Sequence, residues 1–201
     1  MSIKLHQSKA ALKLLEEKTF EVILGEVLHI VWEELLKKLK ITQTVEENWL
    51  INLINSALAI YPEPLSYRDK IFEHALRISK VGIKSKDFLK LKRLVKDKEV
   101  LNEVDLGFKL PEELRFLKPD LLLKGLKEWI IIELTLHYEL KQKLEQLKTY
   151  FEALKTGFPL YTVKAYLLTF EPFKLEKKYE ARASQTGNTY TSQLSLFKEF
   201  Y

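Results

Sequence analysis

Apolar positions recur at helical spacing through the first half of the chain. They predict helices over about residues 6–17 and 20–39, divided near Lys18-Thr19, where Thr19 can cap the second. Further helices are predicted from about Val45 to Ile60, from Ser66 to about Lys80 and from Ser85 to roughly Lys98. Ser66 and Asp69 have the spacing of a capping box. Beyond residue 100 the pattern changes to short apolar runs, which predict strands at 103–110, 116–124 and 127–136. A helix from about 138 to 155 follows, stopped by Gly157 and Pro159, and then a strand over 160–170. The order helix, three strands, helix, strand predicts an α/β protein with a mixed sheet and helices packed on it. Residues 183–193 read as a flexible polar linker. The chain shows no internal repeat.

One polar residue breaks this pattern. The run from Trp129 to Leu136 is apolar enough for a buried strand, yet Glu133 sits inside it. An ionised carboxylate there is costly unless it is paired or binds a cation. Asp120 opens the preceding apolar run, Leu121 to Leu123, and Lys124-Gly125 reads as the turn between them. Two adjacent strands carrying one acid each bring the carboxylates together, as a metal site requires.

Composition narrows the function classes. At 201 residues, with 46% apolar residues and mean hydropathy −0.16, the chain reads as one soluble domain. No apolar run reaches the roughly 18 residues of a membrane span, and the N-terminus lacks a signal-peptide pattern, so the expectation is a cytoplasmic protein with no membrane partner. Zero cysteines exclude disulfides, thiolate catalysis, cysteine-ligated zinc and an iron–sulfur cluster. A net charge of +5 and a pI near 9.1 fit a polyanionic partner. High Lys, Glu and Leu without Cys also fits a heat-loving source.

Four short motifs in order give a resemblance. Pro119-Asp120, followed by Glu133-x-Thr135 on the next strand, resembles the PD-(D/E)XK nuclease core. Gln146-x-x-x-Tyr150 on the following helix and Gly25-x-x-x-His29 on an N-terminal helix resemble the RecB-like branch, which also includes CRISPR-associated adaptation nucleases. The resemblance implies a restriction-endonuclease-like αβββαβ core. Residues 1–182 would form a single nuclease-like domain with a helical insertion at about 40–100. It implies a Mg²⁺- or Mn²⁺-dependent deoxyribonuclease acting in replication, repair or recombination. Asp120, Glu133, His29 and Leu134 would form the metal set, with Asp120, Glu133 and Thr135 at the catalytic positions. Gln146 and Tyr150 would orient the site or the nucleic-acid backbone.

The chain departs from the family at one position. A lysine normally stands two residues after the second acid, where this chain has Thr135. Glu139, Lys143, Gln146 and Tyr150 share one helix face, so Lys143 is the candidate replacement from the helix. Lys141 and Lys148 point elsewhere, alongside the stripe Leu140, Leu144, Leu147 and Phe151. Bland readings stand beside each of these. Asp120 can be a turn residue and Glu133 a lone core acid. His29 can be a satisfied core histidine, and Gln146 and Tyr150 can flank a packing stripe. The basic run Lys84, Lys86, Lys90, Lys92, Arg93, Lys96 and Lys98 is either a solvated face or a phosphate-contacting surface, with Lys90 and Arg93 its candidate DNA contacts. Three functions follow: a nuclease, a nucleic-acid-binding module of the same fold that has lost catalysis, and a structural helical adaptor. The oligomeric state stays open.

Near the end of the sequence stands Gln193-Leu194-Ser195-Leu196-Phe197. This segment resembles the motif by which bacterial replication and repair proteins bind the DNA polymerase III sliding clamp. The resemblance implies a tethering tail over 183–201, with Leu196 and Phe197 filling a pocket and Gln193 and Leu194 completing the contact. The plain alternative is a tail that docks on its own domain.

Overall fold

The computed structural model of the chain describes residues 20–39, 44–61, 67–102, 106–109, 114–136, 140–184 and 194–196. Four helices come first: α1 (Phe20–Leu39), α2 (Glu47–Leu58), α3 (Arg68–Ile83) and α4 (Lys86–Val95). Five strands follow: β1 (Glu99–Asn102), β2 (Leu106–Lys109), β3 (Leu114–Leu117), β4 (Leu121–Lys124) and β5 (Glu128–Thr135). Helix α5 (Leu140–Gly157) precedes β6 (Thr162–Phe170), β7 (Phe173–Ala181) and β8 (Leu194–Leu196). The predicted helix over residues 6–17 lies outside the described residues.

The main sheet has the order β1-β4-β5-β6-β7. Strands β1, β4 and β5 are successively antiparallel, β5 and β6 are parallel, and β6 and β7 are antiparallel. A parallel pair needs a crossover connection, and α5 provides it. The protein is therefore mixed α/β. Strands β3, β2 and β8 form a second antiparallel sheet.

Because side chains alternate across a strand, β5 builds two cores at once. Ile130, Ile132 and Leu134 join Val27, Leu28, Val31, Trp32 and Leu35 of α1 in the larger core, which also takes in α2, α3 and α4. Trp129 and Ile131 face the other way, onto Leu147, Phe151 and Leu154 of α5. A strand covered on both faces reads as a continuous apolar run, which explains the sequence from Trp129 to Leu136. Helix α3 approaches closely at Gly82, where an added Cβ would lie 2.7 Å from Phe173 and 2.8 Å from Trp32.

Several local expectations are corrected. The stretch 116–124 is two strands in different sheets, parted at Lys118-Pro119-Asp120, because Pro119 has no N–H to donate to a ladder. The expected strand 103–110 is described over Leu106–Lys109, and β1 precedes it in a charged stretch with no apolar alternation. Strand β7 was not expected either, although Phe173, Leu175 and Tyr179 alternate with charged residues as an edge strand does. Tyr67 is the N-cap of α3 and makes no side-chain cap bond, while Ser66 of the expected capping box lies outside the described residues. Ser85 does cap α4, its hydroxyl accepting from the Phe88 N–H at 3.1 Å.

Candidate active site

The β4–β5 register decides where the two acids meet. Leu121 pairs with Ile132, so Asp120, one step before, lies across from Glu133. Parity sends both toward the face covered by α5, since Leu122 and Ile131 belong to that core. Main-chain groups lock the pair reciprocally. The Asp120 N–H donates to Glu133 Oε1 at 3.1 Å, and the Leu134 N–H donates to Asp120 Oδ2 at 2.8 Å.

Lys143 arrives from the first turns of α5. Its Nζ donates to Asp120 Oδ2 at 2.8 Å and to Glu133 Oε2 at 2.9 Å. The side chains of Glu133, Lys143 and Asp120 are 1%, 14% and 16% exposed, so the cluster opens to solvent on the Asp120–Lys143 side. Burial, and then the adjacent Asp120 charge, push the Glu133 carboxyl up to about 8, while Lys143 pulls it back down. Burial alone would favour neutral Lys143, but the two carboxylates outweigh it and hold the ammonium charged well above its usual range. One cation between two acids is thus the arrangement that lets this carboxylate pair sit in an apolar sheet.

His29 approaches from α1, on the other face of the sheet. Its Nε2 lies 2.9 Å from the Leu134 carbonyl oxygen, to which it donates when the proton is on that nitrogen, and 3.9 Å from Asp120 Oδ2. Its ring also packs 6.2 Å from that of Phe170. Leu134 therefore joins the two sides of the site, donating to Asp120 and accepting from His29. The Tyr150 hydroxyl donates to the Lys118 carbonyl at 3.3 Å, in the short link between β3 and β4 that presents Asp120. Burial, and then Glu133, raise its phenol. Gln146 lies half-buried between Lys143 and Tyr150 along α5.

The other expected residues fall elsewhere. Thr135 is fully buried, and its hydroxyl donates to the Leu136 carbonyl at 2.7 Å. Lys90 and Arg93 are exposed on α4, which packs on α1 and β7, and Lys90 pairs with Asp87 at 2.6 Å. Neither is a partner of Asp120, Glu133 or Lys143. Glu139, Gln193 and Phe197 lie outside the described residues. The backbone of Leu194 and Leu196 belongs to β8, paired with Phe108 and Leu106 of β2. Leu134, expected in the metal set, enters through its main chain, its N–H on Asp120 Oδ2 and its carbonyl against His29, and the groups the sequence reading missed are the Asp120 N–H and the Lys118 carbonyl. Such groups leave no residue-type signal.

Among the described residues no three His, Cys, Asp or Glu side chains come close enough to share a metal. The donor chemistry nevertheless suits a hard divalent cation. Two carboxylates converge on one point, and an ammonium already stands there as a cation. With no cysteine, the chain has no thiolate to hold an iron–sulfur cluster. No helix among the described residues is long and apolar enough to cross a membrane. No family model matches the chain, and a search of curated proteins finds no match to it.

Proposed function

We propose that this chain is a Mg²⁺- or Mn²⁺-dependent deoxyribonuclease with a restriction-endonuclease-like core of the RecB-like kind. The observation that supports this reading best is the facing pair of Asp120, just before β4, and Glu133 of β5, bridged by Lys143 from the crossover helix. The β-β-β-α-β path through β1, β4, β5, α5 and β6 of the mixed sheet supports the same reading. A basic pI near 9.1 suits a polyanionic substrate. Recruitment by a bacterial sliding clamp belongs to the same proposal and is supported by the five-residue resemblance at 193–197.

A bound divalent ion would supply an activated water and offset charge on the departing oxygen. Asp120 and Glu133 would hold that ion through carboxylate oxygens. His29 would keep the Leu134 carbonyl oriented, and Tyr150 would keep the Lys118 carbonyl, and with it Asp120, in place. Lys143 would provide the positive charge that Thr135 cannot. The second reading, a non-cleaving nucleic-acid-binding module, is favoured by the same bridge if the ammonium occupies the acid pair permanently.

The test is incubation of the purified chain with linear and circular, single- and double-stranded DNA in Mg²⁺ or Mn²⁺. Cleavage is expected, and Asp120→Asn or Glu133→Gln should abolish it while circular dichroism stays unchanged. DNA binding without cleavage in either metal would favour the second reading. Full activity in either variant would remove these acids from the site.

A further inference from the structure

We propose that Lys143 is a resident cation that latches the carboxylate pair, so that a divalent metal enters only by displacing its ammonium from between Asp120 and Glu133. This inference rests on the metal-dependent reading of the site and adds a control step to it.

Space is the first argument. The ammonium sits at hydrogen-bond distance, 2.8 and 2.9 Å, from one oxygen of each acid. A divalent ion shared by the same two oxygens would lie about 2.0–2.6 Å from each. It would therefore occupy the position of Nζ, and two cations cannot share it. Three of the four carboxylate oxygens are already engaged: Glu133 Oε1 accepts from the Asp120 N–H, Glu133 Oε2 from Lys143, and Asp120 Oδ2 from both Lys143 and the Leu134 N–H, so an ion reaching Asp120 Oδ1 alone would not join the two acids.

Mobility is the second argument. Glu133 is 1% exposed on β5, paired with Leu167 of β6 one step beyond the last β4 pair, and its Oε1 is held by the Asp120 N–H, so it cannot withdraw. Asp120 is held by the N–H of Leu134 and lies next to the carbonyl that Tyr150 holds. Lys143 is the member that can move. It lies at the start of α5, is 14% exposed, and carries its charge on a flexible four-carbon stem. Swinging outward costs it two charge-assisted hydrogen bonds, which an incoming dication replaces with stronger attraction to the same acids.

The latch predicts that binding and turnover respond oppositely to one substitution. Mn²⁺ alone is titrated into the full chain, without nucleic acid, by calorimetry and by loss of the free-ion electron paramagnetic resonance signal. Lys143→Met, which keeps the stem and removes the charge, should bind Mn²⁺ at least ~tenfold more tightly than wild type, because a like charge is deleted within a few Å. Its DNA cleavage rate at saturating Mn²⁺ should nevertheless fall. Lys143→Arg, which retains the bridge in a stiffer form, should bind Mn²⁺ more weakly than wild type. Lys141→Met, an exposed neighbour, should bind as wild type does. Equal or weaker Mn²⁺ binding by Lys143→Met would overturn the latch, as would wild-type affinity in Lys143→Arg. If Lys143→Met misfolds by circular dichroism, the arginine variant decides alone. Wild-type cleavage combined with identical Mn²⁺ affinity in all variants would remove the latch and keep the nuclease. Tight Mn²⁺ binding by Lys143→Met with no cleavage by wild type would keep the latch and remove the nuclease.

Discussion

Glu133→Gln should remove a pH dependence of stability that the metal-free protein owes to one buried carboxyl. Glu133 is 1% exposed, and its carboxyl is raised from an ordinary 4.5 to about 8, chiefly by burial and then by Asp120. A raised folded value means that the native state binds more protons than the unfolded chain between these two pH values. Stability then falls as pH rises from about 4.5 to 8, the reverse of the behaviour of an acid in a favourable ion pair. For the isolated group the fall across that window is on the order of 4 kcal/mol, since each pKa unit is worth about 1.4 kcal/mol. Lys143 does not contribute to this slope. Its own value is raised above 10.5, so its contribution is complete throughout the window and is lost only in strong base. The glutamine is isosteric, and its amide oxygen can still accept from the Asp120 N–H. Urea unfolding followed by tryptophan fluorescence, with chelator present, at pH 5, 6, 7 and 8 measures both proteins. All other titratable groups are common to both proteins, so the difference between the two curves reports on Glu133. Wild type should lose stability by kcal/mol amounts relative to the variant as pH rises. Parallel curves would refute the assignment of a raised carboxyl to this position.

Gly82→Ala should destabilise the fold by about 1–3 kcal/mol, because the new Cβ would lie 2.7 Å from Phe173 and 2.8 Å from Trp32, two rings already packed 4.7 Å apart. That cost exceeds the roughly 1 kcal/mol that alanine gains over glycine in a helix; a rise in melting temperature would show that the rings give way. Tyr150→Phe should cost about 1 kcal/mol or less, since a partly exposed Lys118 carbonyl can take water in place of the lost 3.3 Å bond. A loss above about 2 kcal/mol in the urea midpoint at constant slope would mean that Tyr150 holds more than this carbonyl.

Much of this architecture is written in local sequence. Helical spacing of apolar residues marks α1 to α4, Ser85 marks the start of α4, and the stripe Leu147–Phe151 marks the buried face of α5. The same spacing that places Lys143 in line with Tyr150 is a property of the helix itself, so the lysine's face was legible without any structure. An acid inside the run Trp129–Leu136 was legible too, because a charge at a buried position stands out against its neighbours. What the sequence could not supply was pairing between distant segments. The register that sets Asp120 against Glu133 arises from β4 and β5 locking together after Pro119 ends the previous strand. The meeting of Lys143 with both acids depends on α5 crossing over the sheet to β6, and the contact of His29 with Leu134 joins residues 105 positions apart. Thr135 looked catalytic by its place in a motif, yet it lies fully buried with its hydroxyl on the Leu136 carbonyl. Main-chain donors and acceptors carry no residue identity, and side-chain direction at a strand end follows register and packing. Local sequence therefore determined which groups were available, and only the long-range packing of sheet and crossover helix decided which of them meet.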